Sequence, residues 1–215
     1  TALILAPIAV IGIFFLPPLG FAIFTGVAIS LGAWEWANMA GYASDTSRIG
    51  YAVLVAFILV AVYQLPTLNL LWLGILWWGV AWLMVRQYPG GTSVWGSSPA
   101  RAAMGLLVLV PAWVGLNHLR NGTLLFGDMN NGLVAILYVF LVVWVADIGA
   151  YFAGRAFGRA KLAPRVSPGK SWAGVWGGLA AVALLALAAG AVAGATLVDT
   201  LLLLVVSVLV AGISV

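Results

Sequence analysis

The chain has 215 residues, of which 65% are hydrophobic and only 7% are Asp, Glu, Lys or Arg. Soluble domains carry about 25% charged residues, so this composition excludes a soluble fold and indicates an integral membrane protein. Apolar and polar residues do not alternate strictly in repeated ten-residue blocks, which argues against an outer-membrane barrel. Long apolar runs instead predict an all-α fold.

The net charge of the chain is +4. The charged residues lie where a membrane protein has its loops, so we expect no nucleic-acid partner. Cysteine is absent and His118 is the single histidine, which excludes disulfides, Cys-ligated metals and a His-rich zinc site.

Apolar segments follow one another along the chain, and we predict a polytopic protein of about eight transmembrane helices. The segments cover residues 2–16, 19–34, 49–65, 68–85, 102–117, 133–153, 172–194 and 197–215. Pro17 and Pro18 separate the first two, because proline cannot continue a helix interior. No soluble domain interrupts the series, so we predict a single transmembrane domain over residues 1–215.

Both ends of the chain lead us to expect a fragment of a longer protein. The first residue is not Met, and the opening "TALILAPIAV" lacks the basic flank of a signal peptide. The last residues lie inside an apolar run.

Basic residues fall on one side of the predicted membrane topology. If every segment crosses, loops 35–48, 86–101 and 154–171 share a side and hold eight of the nine Lys and Arg residues, whereas Arg120 lies on the other side. Cytoplasmic loops carry such an excess of positive charge, so we predict that these three loops face the cytoplasm.

The stretch 144–174 departs from the apolar pattern. Asp147 lies in the cytoplasmic half of a predicted helix, and a carboxylate in the membrane costs about 2.5–3.5 kcal/mol on insertion scales, so it usually faces a partner or a cavity. A structural role, with Asp147 bonded to Tyr or backbone, is the alternative.

Two rows of residues, each with a spacing of four, run along this helix. Small residues form a ridge for a neighbouring helix at Ala146, Ala150, Gly154 and Gly158. Polar residues form a stripe at Asp147, Tyr151, Arg155 and Arg159.

The segment "PRVSPGKSWAG", residues 164–174, predicts a phosphate-binding loop. Pro168 and Gly169 suit a type II turn, and Ser171 suits the N-cap of the next helix. Helix N-termini attract anions, so Ser167, Lys170 and Ser171 would surround a phosphate there. A basic loop that touches anionic headgroups is the alternative. A carboxylate beside phosphates further predicts Mg²⁺, which typically takes one or two carboxylates plus phosphate oxygens.

The segment "ADIGAYFAGRAFGRAKLAPRVSPGKSWAG" resembles the internal motif region of bacterial phosphatidate cytidylyltransferases, and "LGAWEWANMAG" resembles the stretch after their second helix. The resemblance extends over the whole chain. It implies that CTP and phosphatidic acid form CDP-diacylglycerol and pyrophosphate, with Mg²⁺ and a second cation left open, in the bacterial inner membrane. Membrane lipids are then also partners, and a homodimer is left open.

The resemblance also assigns roles to individual residues. Asp147 would be an acidic residue of the active site or of the metal site, and Ser167 and Lys170 would contact substrate phosphates as catalytic residues. The weaker candidates for the same task are Arg155, Lys161 and Arg165. The family's further signature (Ser-x-x-Lys-Arg, Lys-Asp, His-Gly-Gly and Asp-Arg-x-Asp) is not in this sequence, so we expect only part of the pocket here and no activity from this chain alone.

Two other functions fit the same residues. In a transporter or channel, Asp147 would relay ions or protons. A CTP-dependent kinase of the polyprenol or phytol type would transfer the γ-phosphate to an alcohol. A structural membrane subunit is a third, less favoured reading.

Overall fold

The computed structural model describes residues 2–63, 65, 68–122, 132–164 and 167–214. Helices dominate the described part, and a small antiparallel sheet joins two of them. The helices are α1 (Ala2–Phe15), α2 (Pro18–Ala40), α3 (Asp45–Val62), α4 (Leu68–Gln87), α5 (Thr92–Trp95), α6 (Ser98–Asn121), α7 (Gly132–Phe157), α8 (Trp172–Val192) and α9 (Leu197–Ser214). The strands are β1 (Lys161–Ala163) and β2 (Ser167–Ser171).

The all-α, polytopic prediction is confirmed, and the chain is an integral membrane protein. Six described helices are long and apolar enough to cross a membrane, namely α2, α3, α4, α6, α7 and α8. The helix α9 is apolar but shorter over Leu197–Ile213, and α1 has 14 residues. The predicted count of about eight crossings is therefore not confirmed, although each of the eight predicted segments corresponds to a helix.

Local sequence explains where several helices begin and end. Pro17 is the N-cap of α2 and Pro18 its first residue, as the break between the first two segments predicts. The same helix continues to Ala40, six residues beyond the predicted end, and Gly41 closes it with a left-handed φ of 97°. The helix α3 begins after Ser44, whose side chain accepts the backbone N–H of Ser47.

The chain divides into two compact units, Thr1–Asn121 and Gly122–Val215. In the first unit, α2, α3 and α6 pack around a core that includes Val55, Leu59 and Val114. Polar side chains add hydrogen bonds between these helices, as the Tyr51 hydroxyl does when it donates to the carbonyl oxygen of Ala102 at 2.7 Å.

In the second unit, α8 packs against both α7 and α9. Its core contains Val142 and Ala146 of α7, Val182 of α8 and Ala211 of α9. The sheet lies between α7 and α8 in the sequence, where it connects the end of one helix to the beginning of the other. The predicted single domain over residues 1–215 stays a prediction.

Candidate active site

A groove in the second unit collects most of the polar residues that the sequence singles out. It has a volume of about 380 Å³ and lies between α7, β2 and the first turn of α8. Small residues and Val175 form part of its wall. The polar side chains that line it are Asp147, Tyr151, Arg155, Lys170 and Ser171.

Small residues let α7 and α8 approach closely beside the groove. A Cβ atom added to Gly174 would lie 3.1 Å from the carbonyl oxygen of Ala150, and one added to Gly178 would lie 3.0 Å from that of Ala146. One added to Gly154 would lie 3.3 Å from the Ser171 hydroxyl oxygen. The predicted small-residue ridge on α7 is therefore confirmed as a close contact with α8.

Ser171 joins β2 to α8 and is the N-cap of that helix, as predicted. Its hydroxyl oxygen accepts the backbone N–H of Gly174 at 3.2 Å, which satisfies one of the free donors of the first turn. The residue is only 6% exposed. A serine hydroxyl that accepts one hydrogen bond still has its own proton to donate, so Ser171 can both cap the helix and bind an anion.

The predicted type II turn at Pro168 and Gly169 is wrong. Both residues lie in β2, and Gly169 does not have the positive φ that the turn requires. Lys161 pairs with Ser171 and Ala163 pairs with Ser167, so three residues of β2 oppose one residue of β1. This bulge accommodates a proline, which cannot donate to the ladder, and a glycine. It places Gly169 and Lys170 at the groove.

Asp147 lies on the groove side of α7, ten residues before the helix ends at Phe157. At 1.5 Å per residue, its Cα is about 15 Å from that end. Its side chain is exposed. Among the described residues, the carboxylate has neither an ion pair nor a hydrogen bond. The bonds to Tyr or backbone that a structural role would require are therefore absent from the described part of the chain.

One hydrogen bond joins two residues of the polar stripe on α7. Arg155 donates from Nη1 to the Tyr151 hydroxyl oxygen at 3.1 Å. Both residues line the groove with Asp147, one and two turns away on the same face. Arg159 lies beyond the end of α7 and is exposed. The sequence placed Tyr151 in the stripe but assigned it no role, although its spacing of four from Asp147 and Arg155 is the signal that finds it.

The other predicted site residues lie apart from the groove lining. Lys161 is exposed in β1, and Ser167 is partly buried at the beginning of β2. The groove lining includes neither of them. Arg165 lies outside the described residues.

The groove carries more positive than negative charge. Arg155 and Lys170 supply two cations and Asp147 one carboxylate, which gives a net charge of +1 for the described lining. Two cations with hydroxyl donors beside them are the groups that bind phosphate oxygens. No group of three or more His, Cys, Asp or Glu residues that could hold a metal occurs in the described part of the chain. Among the described residues of the groove lining, Asp147 is the carboxylate that a metal could take as a ligand.

Comparisons with known proteins agree with the resemblance read from the sequence. The model described as "Cytidylyltransferase family" matches residues 1–215. A phosphatidate cytidylyltransferase of Pseudomonas aeruginosa is 50% identical over 182 residues, which are 84% of this chain and 65% of that protein. One of Haemophilus influenzae is 35% identical over 204 residues, which are 86% of this chain and 69% of that protein. The chain thus spans about two thirds of the length of these two relatives.

Proposed function

We propose a function from one premise: this chain belongs to the cytidylyltransferase family. The proposed activity is that of a phosphatidate cytidylyltransferase, which joins CTP and phosphatidic acid to form CDP-diacylglycerol and pyrophosphate in phospholipid biosynthesis. The observation that carries this proposal is the groove, because it brings a carboxylate, two cations and a capped helix N-terminus together in a membrane protein. The curated relatives with the same activity in their names support it.

The reaction is a transfer of a nucleotidyl group between two phosphates. An oxygen of the phosphatidate phosphate forms a bond to the α-phosphorus of CTP. The bond from that phosphorus to the oxygen bridging the β-phosphorus breaks, and its electron pair leaves with pyrophosphate. Both reactants are anions, so catalysis depends on holding them close together and on neutralising their charge.

Side chains of the groove supply this charge and orientation. Lys170 and Arg155 bind phosphate oxygens, Lys170 as a point charge and Arg155 through its planar guanidinium. Ser171 donates its hydroxyl proton to the same phosphates while it caps α8. Ser167 and Lys161 are secondary candidates for contacts with the parts of the substrates that extend beyond the groove. The role of Arg165 rests on the sequence resemblance alone.

Asp147 is the candidate ligand for Mg²⁺. Mg²⁺ keeps several waters and is usually held by one or two carboxylates plus substrate phosphates, so a single carboxylate that bonds to no described residue fits as one ligand. Bound Mg²⁺ neutralises charge on the phosphates of CTP. Whether a second cation binds depends on ligands beyond the described groove.

We assign the protein to the bacterial inner membrane, with the groove open to the cytoplasm where CTP is present. The excess of Lys and Arg in loops 35–48, 86–101 and 154–171 supports this orientation. Membrane lipids surround the protein, and a homodimer remains an open proposal. The transporter and lipid-kinase alternatives gain no support from the comparisons.

Product analysis tests the proposed function. The full-length protein in neutral detergent micelles is given CTP, phosphatidate and Mg²⁺, and the lipid and soluble products are separated. Formation of a CMP-lipid together with pyrophosphate is the expected result. Formation of CDP with a newly phosphorylated lipid would instead identify a kinase, and absence of both products would refute the proposed activity.

A further inference from the structure

The Tyr151 side chain occupies a distinctive place in the groove. It lies on α7 one turn from Asp147 and one turn from Arg155, and all three line the groove. The residue is 59% exposed, and its ring contacts one neighbouring ring. That contact is an edge-to-face arrangement with Phe152, with ring centroids 5.4 Å apart.

The Tyr151 hydroxyl accepts one hydrogen bond and still has its own proton to donate. The oxygen accepts from Arg155 at 3.1 Å. A phenol has a single proton to donate, and that proton has no acceptor among the described residues. The neighbouring guanidinium polarises the hydroxyl, and hydrogen bonds linked in series strengthen one another. The Tyr151 hydroxyl is therefore a good donor at the groove, where Arg155 and Lys170 also attract phosphate.

We propose that Tyr151 binds substrate directly, donating its hydroxyl proton to a phosphate oxygen and holding the Arg155 guanidinium on the same phosphate group. This inference rests on the proposed function for the identity of the phosphates. Nucleotide and lipid headgroup offer the same chemistry, and the experiment separates them. Tyr151 thus extends the phosphate site from Lys170 and Ser171 on β2 across to the face of α7.

The variant Tyr151→Phe tests the proposal, because it removes the hydroxyl and keeps the ring contact with Phe152. Loss of a hydrogen bond to a charged group lowers affinity about 10- to 100-fold. We expect the KM for CTP or the KM for phosphatidate to rise by that factor, and the substrate affected identifies the phosphate. A merely structural tyrosine would lower kcat and leave both KM values unchanged, and that result would overturn the proposal. Kinetics equal to those of wild type would overturn it as well.

Tyr138→Phe is the matched control on the same helix. The Tyr138 hydroxyl shares a 2.8 Å hydrogen bond with Ser207 of α9 and does not line the groove. Its loss is expected to lower stability and to leave both KM values within twofold of wild type.

A binding measurement separates failure of this inference from failure of the proposed function. Equilibrium binding of labelled CTP, and of phosphatidate in neutral micelles, is compared between wild type and Tyr151→Phe without turnover. Weaker binding to the variant supports the inference even if wild type forms no CMP-lipid, a result that would refute only the proposed activity. Equal binding of both ligands to the two proteins, or no binding to either protein, overturns the inference.

Discussion

Replacing Gly177 by Ala would force α7 and α8 apart beside the groove. A Cβ atom at this position would lie 2.7 Å from the carbonyl oxygen of Gly149 and would overlap the Cβ atom of Ala153. The obstacle is backbone and a methyl group, so no rotamer change relieves it. Overpacking of this kind costs about 1–3 kcal/mol. Alanine regains up to about 1 kcal/mol over glycine inside a helix. With the full gain subtracted, we expect the free energy of unfolding to fall by about 1 kcal/mol, and by about 2 kcal/mol at most.

A denaturant titration in mixed micelles measures this change, and the matched control is Gly212→Ala in α9. A Cβ atom at Gly212 would lie 3.8 Å from Leu179, an ordinary van der Waals contact, so the control should be as stable as wild type or slightly more stable. The activity of the Gly177 variant should fall as well, because Ser171 is the N-cap of the helix that would move. A Gly177→Ala protein as stable as the Gly212→Ala protein would refute the close packing of α7 and α8.

The remaining predictions concern the carboxylate and the topology. Asp147→Asn keeps the shape of the side chain but removes its charge, and turnover at ordinary Mg²⁺ should fall about 100-fold or more while the protein still inserts into the membrane; near-normal turnover would point to a structural role. Cysteine at Ser44, Ser97 or Ser167 should be shielded from an impermeant thiol reagent in intact cells, and labelling of any one from outside would contradict the cytoplasmic placement of the three basic loops.

Apolar runs predicted where the helices are, but they did not predict where the helices end. A helix that crosses the membrane requires a long apolar stretch, and such a stretch can be recognised directly in the sequence. A helix can continue past that stretch as long as its backbone hydrogen bonds continue. The helix α2 does so through Glu35 and Trp36 until Gly41 closes it, and α7 continues to Phe157 in the same way. The glycine at residue 41 was the available signal for the first of these ends.

In the site, the feature that depends on neighbouring residues could be predicted from the sequence, and the feature that depends on distant residues could not. The cap at Ser171 could be predicted because it depends on one side chain and the next three residues. The sheet could not, because Lys161–Ala163 must find Ser167–Ser171 across a connection, and Pro168 with Gly169 favours a turn when considered alone. Pairing of the strands decided the outcome by satisfying backbone groups that a turn leaves to water.

The central claim is that the groove binds the phosphates of CTP and phosphatidate, and Lys170→Met tests it most directly. The change removes the ammonium group and keeps similar bulk. Neutral micelles eliminate the nonspecific attraction of anionic lipid, which contributes about 1 kcal/mol per basic residue. Arg159→Met, an exposed basic residue beyond α7, controls for general loss of charge.

The measurement is kcat/KM for CTP and for phosphatidate with the full-length protein in these micelles. A hydrogen bond to a charged group contributes about 1.5–3 kcal/mol, so Lys170→Met should lower kcat/KM about 10- to 100-fold for at least one substrate. Arg159→Met should leave both values near those of wild type. Unchanged kcat/KM for both substrates in the Lys170→Met protein would contradict the assignment of the groove as the phosphate site.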